Sequence, residues 1–185
     1  MPSAGTCASA TSTPTGSYLE MLGQGGSIVK NSFGGCANAQ YTPLKPGTEG
    51  LKTGSYQPSP PNAIFQPANF FGSDFTVNTD QVDRQANTSV PPPSIVSNGG
   101  HLTGNMEAVD VAYNGAYFNQ GAPKPGGGYP GSTKPLTGSI SCSGSFEIQW
   151  QSQIVGGAFN NFTGVWHLSG TFIPSSGSVA SALGC

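Results

Sequence analysis

Two runs in the last third of the chain alternate between apolar and polar positions. A period of two places apolar side chains on one face of a β-strand and polar side chains on the other. The runs therefore predict an antiparallel hairpin with one solvated face, joined by a loop over 153–161. Trp150 and Trp166 are predicted to pack in the core or as a cross-strand pair, with a ligand platform as the alternative. The alternating positions are Ile140, Cys142, Gly144, Phe146, Ile148 and Trp150, then Phe162, Gly164, Trp166, Leu168, Gly170 and Phe172.

Shorter alternating segments predict further strands over 69–78 and 102–113, with a β-bulge near Glu107, where the apolar parity changes. A helical turn is expected over 17–22, because Ser17 and Glu20 match a capping box. The predicted fold class is all-β, an antiparallel β-sandwich or β-roll with long Gly/Pro-rich loops and little helix. The expected organisation is a flexible N-terminal arm (1–16), a single β domain (17–174) and a C-terminal tail (175–185).

The chain carries few charged side chains, six Lys or Arg and eight Asp or Glu among 185 residues, for a net charge of −2. Because globular proteins are about a quarter charged, solubility here must rest on Ser, Thr, Asn and Gln. The basic residues are scattered singly, which excludes the basic patch that nucleic acid or anionic lipid requires. No apolar run approaches the roughly 18 residues that span a bilayer, so we expect no transmembrane segment.

Four cysteines, Cys7, Cys36, Cys142 and Cys185, lack CxxC spacing. They predict disulfides in an oxidising compartment rather than a zinc site, with buried free thiols of a cytosolic protein as the alternative. Of three possible connectivities, a change in composition near residue 100 favours Cys7–Cys36 with Cys142–Cys185. A bridge from Cys185 to another subunit is a further possibility. The first residues carry no signal-peptide pattern, so we expect either a signal that was removed or synthesis without one.

Candidate catalytic residues are few. His101 and His167 have no third imidazole or cysteine at zinc-ligand spacing, and no GxSxG motif marks a nucleophile. The carboxylates are a sparse set for glycoside hydrolysis. We therefore predict no enzymatic activity, no cofactor and no metal. The single calcium candidate is the set Asp74, Asp80 and Asp83, for which ordinary turn capping is the alternative.

Aromatic side chains near the loop over 122–135 are the stronger signal. Tyr113, Tyr117, Phe118 and Tyr129 lie in or beside this Gly/Pro/Asn-rich region, close to several side-chain amides. Aromatic faces flanked by amides and hydroxyls suit sugar rings, which need no charge. The same residue types are enriched at subunit interfaces, where charge is depleted. These four residues are the candidate ligand-binding set under either interpretation.

The segments 115–120, 153–157 and FTGVWHLSGT at 162–171 resemble parts of exported bacterial surface proteins of the PEP-CTERM type. The resemblance covers about 60 residues of glycine and aromatic spacing rather than an active-site motif. It implies an extracellular β-protein, and it transfers no functional residue. The sorting signal of that family does not follow Ile173 in this sequence.

We expect a non-catalytic structural protein at the cell surface or outside the cell, a subunit that associates with copies of itself into an assembly or fibre. The alternative is a carbohydrate-binding module that uses exposed Tyr and Phe with amide side chains, and glycans are then its partner. A viral structural protein is the third possibility. The expected mechanism of association is a terminal arm that adds a strand to an open sheet edge on a neighbouring subunit.

Overall fold

Thirteen short strands and one short helix form the structure, a computed structural model that describes residues 1–34, 36–58 and 63–185. The all-β prediction is confirmed. The elements are β1 (Tyr18–Leu22), β2 (Tyr41–Pro43), β3 (Phe65–Phe70), β4 (Ser73–Thr79), β5 (Val82–Asp83), β6 (Thr88–Ser89), β7 (Ser94–Asn98), β8 (His101–Asn105), β9 (Val109–Tyr113), β10 (Ala116–Asn119), β11 (Lys134–Ile140), β12 (Ser145–Gln153), β13 (Thr163–Thr171) and α1 (Val179–Leu183).

The strands form two main antiparallel sheets. The larger has seven strands in the order β2-β1-β13-β12-β11-β8-β7, and the smaller has four in the order β10-β9-β4-β3. A separate two-stranded hairpin consists of β5 and β6. Buried side chains from both sheets form one hydrophobic core, and Phe75 of the small sheet packs edge-on against Trp166 of the large one. The fold is an antiparallel β-sandwich.

The predicted hairpin in the last third lies at the centre of the seven-stranded sheet. Trp150 of β12 pairs with Trp166 of β13, and their rings stack with centroids 5.8 Å apart. Both rings are almost fully buried, so the prediction of a cross-strand core pair is confirmed. The loop between the strands falls where it was predicted, after Gln153 and before Thr163.

Gln120, directly after β10, joins the small sheet to this tryptophan pair. Its backbone carbonyl accepts a 2.7 Å hydrogen bond from Nε1 of Trp150, and its Oε1 accepts one of 3.1 Å from Nε1 of Trp166. A glycine at 164 makes room for the amide, because a Cβ there would lie 2.2 Å from Oε1 of Gln120. One buried polar residue thus pairs both indole N–H groups, which would otherwise be costly to bury.

The structure differs from the sequence prediction where a turn interrupts a regular pattern. The run from Ile140 to Trp150 is not one strand, because Ser141 to Gly144 reverse the chain between β11 and β12, with φ of 86° at Gly144. The segment 69–78 likewise divides at Phe71 and Gly72 into β3 and β4. Residues at such turns keep the period of two, so the alternation continues across them.

Two further predictions are corrected. Residues 18–22 form strand β1 and not a helical turn, because they pair along their whole length with β13. The segment 102–113 belongs to both sheets, since β8 lies in the large one and β9 in the small one. The parity change that suggested a bulge near Glu107 marks the crossing between sheets, where Met106 is completely buried.

Both terminal segments are attached to the β domain of their own chain. Pro2 forms an isolated bridge with Gly170, and the backbone N–H of Ser3 bonds to the carbonyl of Ser169 at 2.6 Å. The first residues therefore run beside β13 next to the point where β1 begins, since Tyr18 pairs with His167. The tail contains α1, which has no buried residue and is capped by Ser178.

Two disulfides, Cys7–Cys36 and Cys142–Cys185, confirm the predicted connectivity. The second attaches the tail to the turn between β11 and β12. Among the described residues no cysteine is free. The described part of the chain also has no helix of the length and apolarity that crossing a membrane demands.

Replacing Cys7 and Cys36 with serine is expected to lower the free energy of unfolding by about 3 kcal/mol, because that bridge constrains a segment packed on the core. The same change at Cys142 and Cys185 is expected to cost less than half as much. The tail that this second disulfide holds contains α1, which has no buried residue. Breaking the disulfide therefore frees the tail in the folded state as well as in the unfolded state. Urea denaturation measures both values. A larger loss of unfolding free energy on replacing Cys142 and Cys185 than on replacing Cys7 and Cys36 would contradict the conclusion that the tail is peripheral.

Gln120→Met is expected to destabilise the protein by about 1 to 3 kcal/mol, because it keeps the side-chain volume but leaves Nε1 of Trp166 buried without a partner. Gln149→Met, at an exposed position on β12, is the matched control and is expected to change stability by less than about 0.5 kcal/mol. Equal losses of stability for the two variants in urea denaturation would show that the hydrogen bond between the Gln120 side chain and Trp166 does not hold the sheets together.

Candidate functional site

A row of three polar residues crosses the four-stranded sheet on its outer face, the face directed away from the core. Asp110 of β9 lies between Asn78 of β4 and Asn119 of β10, as the directly paired residue on each side. Since paired residues of an antiparallel ladder point to the same face, the three side chains are neighbours. All three are buried, although the apolar residues of these strands face the opposite way.

The β5–β6 hairpin covers this row. Asp83 of β5 is fully buried, and its Oδ2 accepts a hydrogen bond from Nδ2 of Asn119. The backbone N–H of Arg84 donates to Oδ2 of Asp110 at 3.3 Å. Oε1 of Gln85 accepts a 2.8 Å bond from the backbone N–H of Asn119. The polar row is therefore enclosed by protein.

Burial, the largest cause, and the neighbouring Asp83 carboxylate together raise the pKa of the Asp110 carboxyl to about 7, whereas the backbone N–H of Arg84 opposes the change. Lys124, also buried, donates from Nζ to the backbone carbonyl of Asn119. Burial lowers the pKa of Lys124 to about 8, and the carboxylates of Asp83 and Asp110 act against that shift. The cluster holds two carboxyl groups and one amine in a desolvated space.

Two oxygens of the cluster have no hydrogen-bond partner within the described ranges, namely Oδ1 of Asn78 and Oδ1 of Asp110. They belong to residues that pair directly across β4 and β9. Buried acceptors without a partner are uncommon and costly, so this pair marks an unusual position in the fold. We call Asn78, Asp83, Asp110 and Asn119 the oxygen cluster.

Arg84 joins the oxygen cluster to the protein surface. Its guanidinium bonds to Oδ2 of Asp80 at 2.9 Å and to the hydroxyl of Tyr117 at 2.6 Å. The same group lies over the Tyr117 ring, 4.7 Å from its centroid. These contacts fix the Tyr117 ring at the edge of the hairpin.

A groove of about 300 Å³ lies next to Tyr117 on the outer face of the small sheet. Its lining includes the Asp74 and Thr76 side of β4, Pro67 of β3, and the turn between β9 and β10 with Asn114. The groove presents a carboxylate, a hydroxyl, an amide and a phenol around a shallow space. Such a mixture suits a neutral polyhydroxylated ligand.

The four aromatic residues predicted to bind a ligand do not lie on one surface. Tyr117 is on the outer face, beside the groove. Tyr113 and Phe118 pack against the core, and the Tyr113 hydroxyl donates to the carbonyl of Phe70 at 2.9 Å. Tyr129 is 48% exposed in the loop before β11. Tyr113 also lines the groove but is half-buried, so among the predicted set only Tyr117 combines exposure with a place in the groove lining.

The three predicted calcium ligands are also separated. Asp74 accepts a bond from Nδ2 of Asn69, Asp80 pairs with Arg84, and Asp83 is in the oxygen cluster. Among the residues that the structure describes, no group of three or more His, Cys, Asp or Glu side chains is arranged to hold a metal. The predicted trio does not form a site.

The two histidines lie on the seven-stranded sheet. His167 stacks on Tyr18 with centroids 4.5 Å apart and contacts Oε1 of Glu147 at 2.9 Å through Nε2. Its other ring nitrogen lies 3.1 Å from the carbonyl of Gly16. His101 is exposed on β8. The contacts of His167 connect three strands across the solvated face.

β7 is a second surface of interest, because it is the last strand of the large sheet. It pairs with β8 along all five residues and carries no charged side chain. Val96 at its centre is 61% exposed, whereas Ile95 packs against the core. The result is a regular, uncharged sheet edge.

Sequence reasoning did not find the oxygen cluster. Asn78 and Asp110 occupy polar positions of alternating strands, where the pattern predicts contact with water. One indication of the cluster is in the sequence: the tract Asp80 to Arg84 carries three of the few charged residues. Its partners are distant in sequence and could not be identified from spacing.

Comparisons with known proteins found no match, whether among protein-family models, curated proteins or solved structures. The resemblance to PEP-CTERM proteins therefore stays a prediction.

Proposed function

We propose that this protein is a non-catalytic subunit of an extracellular assembly, in which β7 of one copy pairs with β7 of another. The observation that carries this proposal is the open edge of the seven-stranded sheet at Ser94–Asn98. An exposed edge offers unpaired backbone donors and acceptors to another strand, and natural proteins usually block such edges.

In the part of the chain that the structure describes, β7 has none of the usual protective features. It contains no charge and no proline, and its register with β8 is unbroken. The other sheet ends are more protected. β2 has three residues and ends in Pro43, β3 contains Pro67 and a register shift, and β10 receives Gln85 from the hairpin. Of the four edges of the two main sheets, β7 is therefore the best suited to strand addition.

The sequence of β7 is compatible with its own antiparallel copy. If Val96 lies opposite Val96 of a second subunit, Ile95 lies opposite Ser97, and Ser94 lies opposite Asn98. The two exposed valines then cover each other, and no like charges meet. This arrangement has two-fold symmetry and extends the sheet from seven strands to fourteen across the interface.

The composition supports association outside the cell. The chain after Lys134 has only Glu147 as a fully charged side chain, so like-charge repulsion between copies is weak. Two disulfides are typical of extracellular proteins. The terminal arm is not the element that supports the proposal, because residues 2–3 already pair with β13 in the same chain.

Val96→Lys is expected to weaken self-association at least tenfold, because it places a charge opposite its own copy at the centre of the interface. Sedimentation velocity over a concentration series measures the dissociation constant. Ile173→Lys is the matched control, since Ile173 is 65% exposed and lies outside every strand. A monomeric wild type, or equal weakening by both variants, would refute the proposal.

A second candidate function is glycan binding at the groove beside Tyr117. The specific observation is that an exposed ring held by Arg84 borders a space lined by hydrogen-bonding groups. Sugars bind to such combinations by stacking and by neutral hydrogen bonds.

On a glycan array, Tyr117→Ala is expected to remove at least nine-tenths of the binding signal, because the ring forms one wall of the groove. Tyr129→Ala is the matched control and is expected to bind like the wild type, since Tyr129 is exposed on a different loop. Loss of signal in the Tyr129 variant alone, or no signal in the wild type, would exclude the groove as the glycan site.

A further inference from the structure

The oxygen cluster has the donor set of a hard cation site. Two carboxylates, Asp83 and Asp110, come from different elements and meet in a buried space. Oδ1 of Asn78, whose residue is 7% exposed, has no hydrogen-bond partner in the described chain and belongs to the residue directly paired with Asp110. Oδ1 of Asp110 lacks a partner in the same way. One unpartnered oxygen therefore belongs to a buried carboxyl group, and the other belongs to the residue paired beside it.

From this arrangement we propose that the protein binds one calcium ion between the β5–β6 hairpin and the outer face of the small sheet, through Asp83, Asp110 and Asn78. The ion would satisfy both unpartnered oxygens and neutralise carboxylates that are buried together. This proposal is independent of the proposed self-association, because the oxygen cluster and β7 belong to different sheets.

The donor chemistry favours calcium over transition metals. Carboxylate and amide oxygens are calcium ligands, whereas zinc and copper sites use imidazole or thiolate. Both histidines lie on strands of the other sheet, and all four cysteines are in disulfides. Calcium also tolerates irregular coordination, which suits ligands supplied by a strand pair and a separate hairpin.

The charge balance of the oxygen cluster favours a bound cation. Lys124 supplies one ammonium group to two carboxylates, and its Nζ is bound to the carbonyl of Asn119. Arg84 is turned outward to Asp80 and Tyr117, and only its backbone N–H contacts Asp110. With both carboxyl groups ionised, the two carboxylates would exceed the one ammonium group at the cluster by one charge. A bound ion would fasten the hairpin to the sheet and, through Arg84, hold Tyr117 in place.

Calorimetric titration of CaCl2 into chelator-treated full-length protein, together with thermal unfolding, tests this proposal. In the wild type we expect saturable binding of one ion and a melting temperature raised by about 5 °C when free calcium exceeds Kd about a hundredfold. Asp74→Asn, which removes a carboxylate from the same face outside the cluster, is expected to behave like the wild type. Asp110→Asn is expected to lose at least nine-tenths of the affinity and the thermal shift.

Asn78→Ala provides a second test that does not alter a charge. It removes one unpartnered oxygen and is expected to weaken calcium binding at least tenfold, with the near-ultraviolet circular dichroism of the stacked tryptophans unchanged. If Asp110→Asn does not fold, this variant decides the question. No calcium binding by the wild type, or affinity retained in both the Asp110 and Asn78 variants, would overturn the proposal.

Discussion

The stacked pair Trp150 and Trp166, bonded through both indole nitrogens to Gln120, is the interaction on which the rest of the structure depends. The two rings lie at the centre of the large sheet, and Gln120 belongs to the chain that leaves the small sheet. Aromatic burial supplies a large share of core energy, but it imposes no orientation on two facing sheets. The paired indole N–H groups do impose one, because a shifted sheet would leave them unsatisfied.

This constraint also determines the outer face of the small sheet. Asn119 and Gln120 are consecutive, so when Gln120 points into the core, Asn119 points outward to Asp83 and lies beside Asp110. The same alternation places Tyr117 outside and Phe118 inside. The hydrogen bonds between Gln120 and the two tryptophans thus determine where the oxygen cluster and the groove lie. At the far end of the large sheet, β7 is not subject to this constraint and stays open.

Much of this architecture could be predicted from sequence, for identifiable reasons. The central hairpin follows from strict alternation, and the disulfides follow from four cysteines in two separated pairs. The turn at Ser141 to Gly144 was missed because small residues there keep the period of two. Residues 18–22 were misassigned because pairing with β13 outweighs a local capping signal. The alternation places Asn78 and Asp110 at polar positions of their strands, and it does not show that β5 and β6 cover them.

The central functional claim is that β7 is the surface through which copies of this protein associate. Hydrogen exchange followed by mass spectrometry, at protein concentrations below and above the dissociation constant, tests it most directly. The account predicts that backbone amides of Ser94–Asn98 exchange more slowly at high concentration, while those of β2 do not change. Exchange in β7 that is independent of concentration, in a sample that does associate, would contradict it.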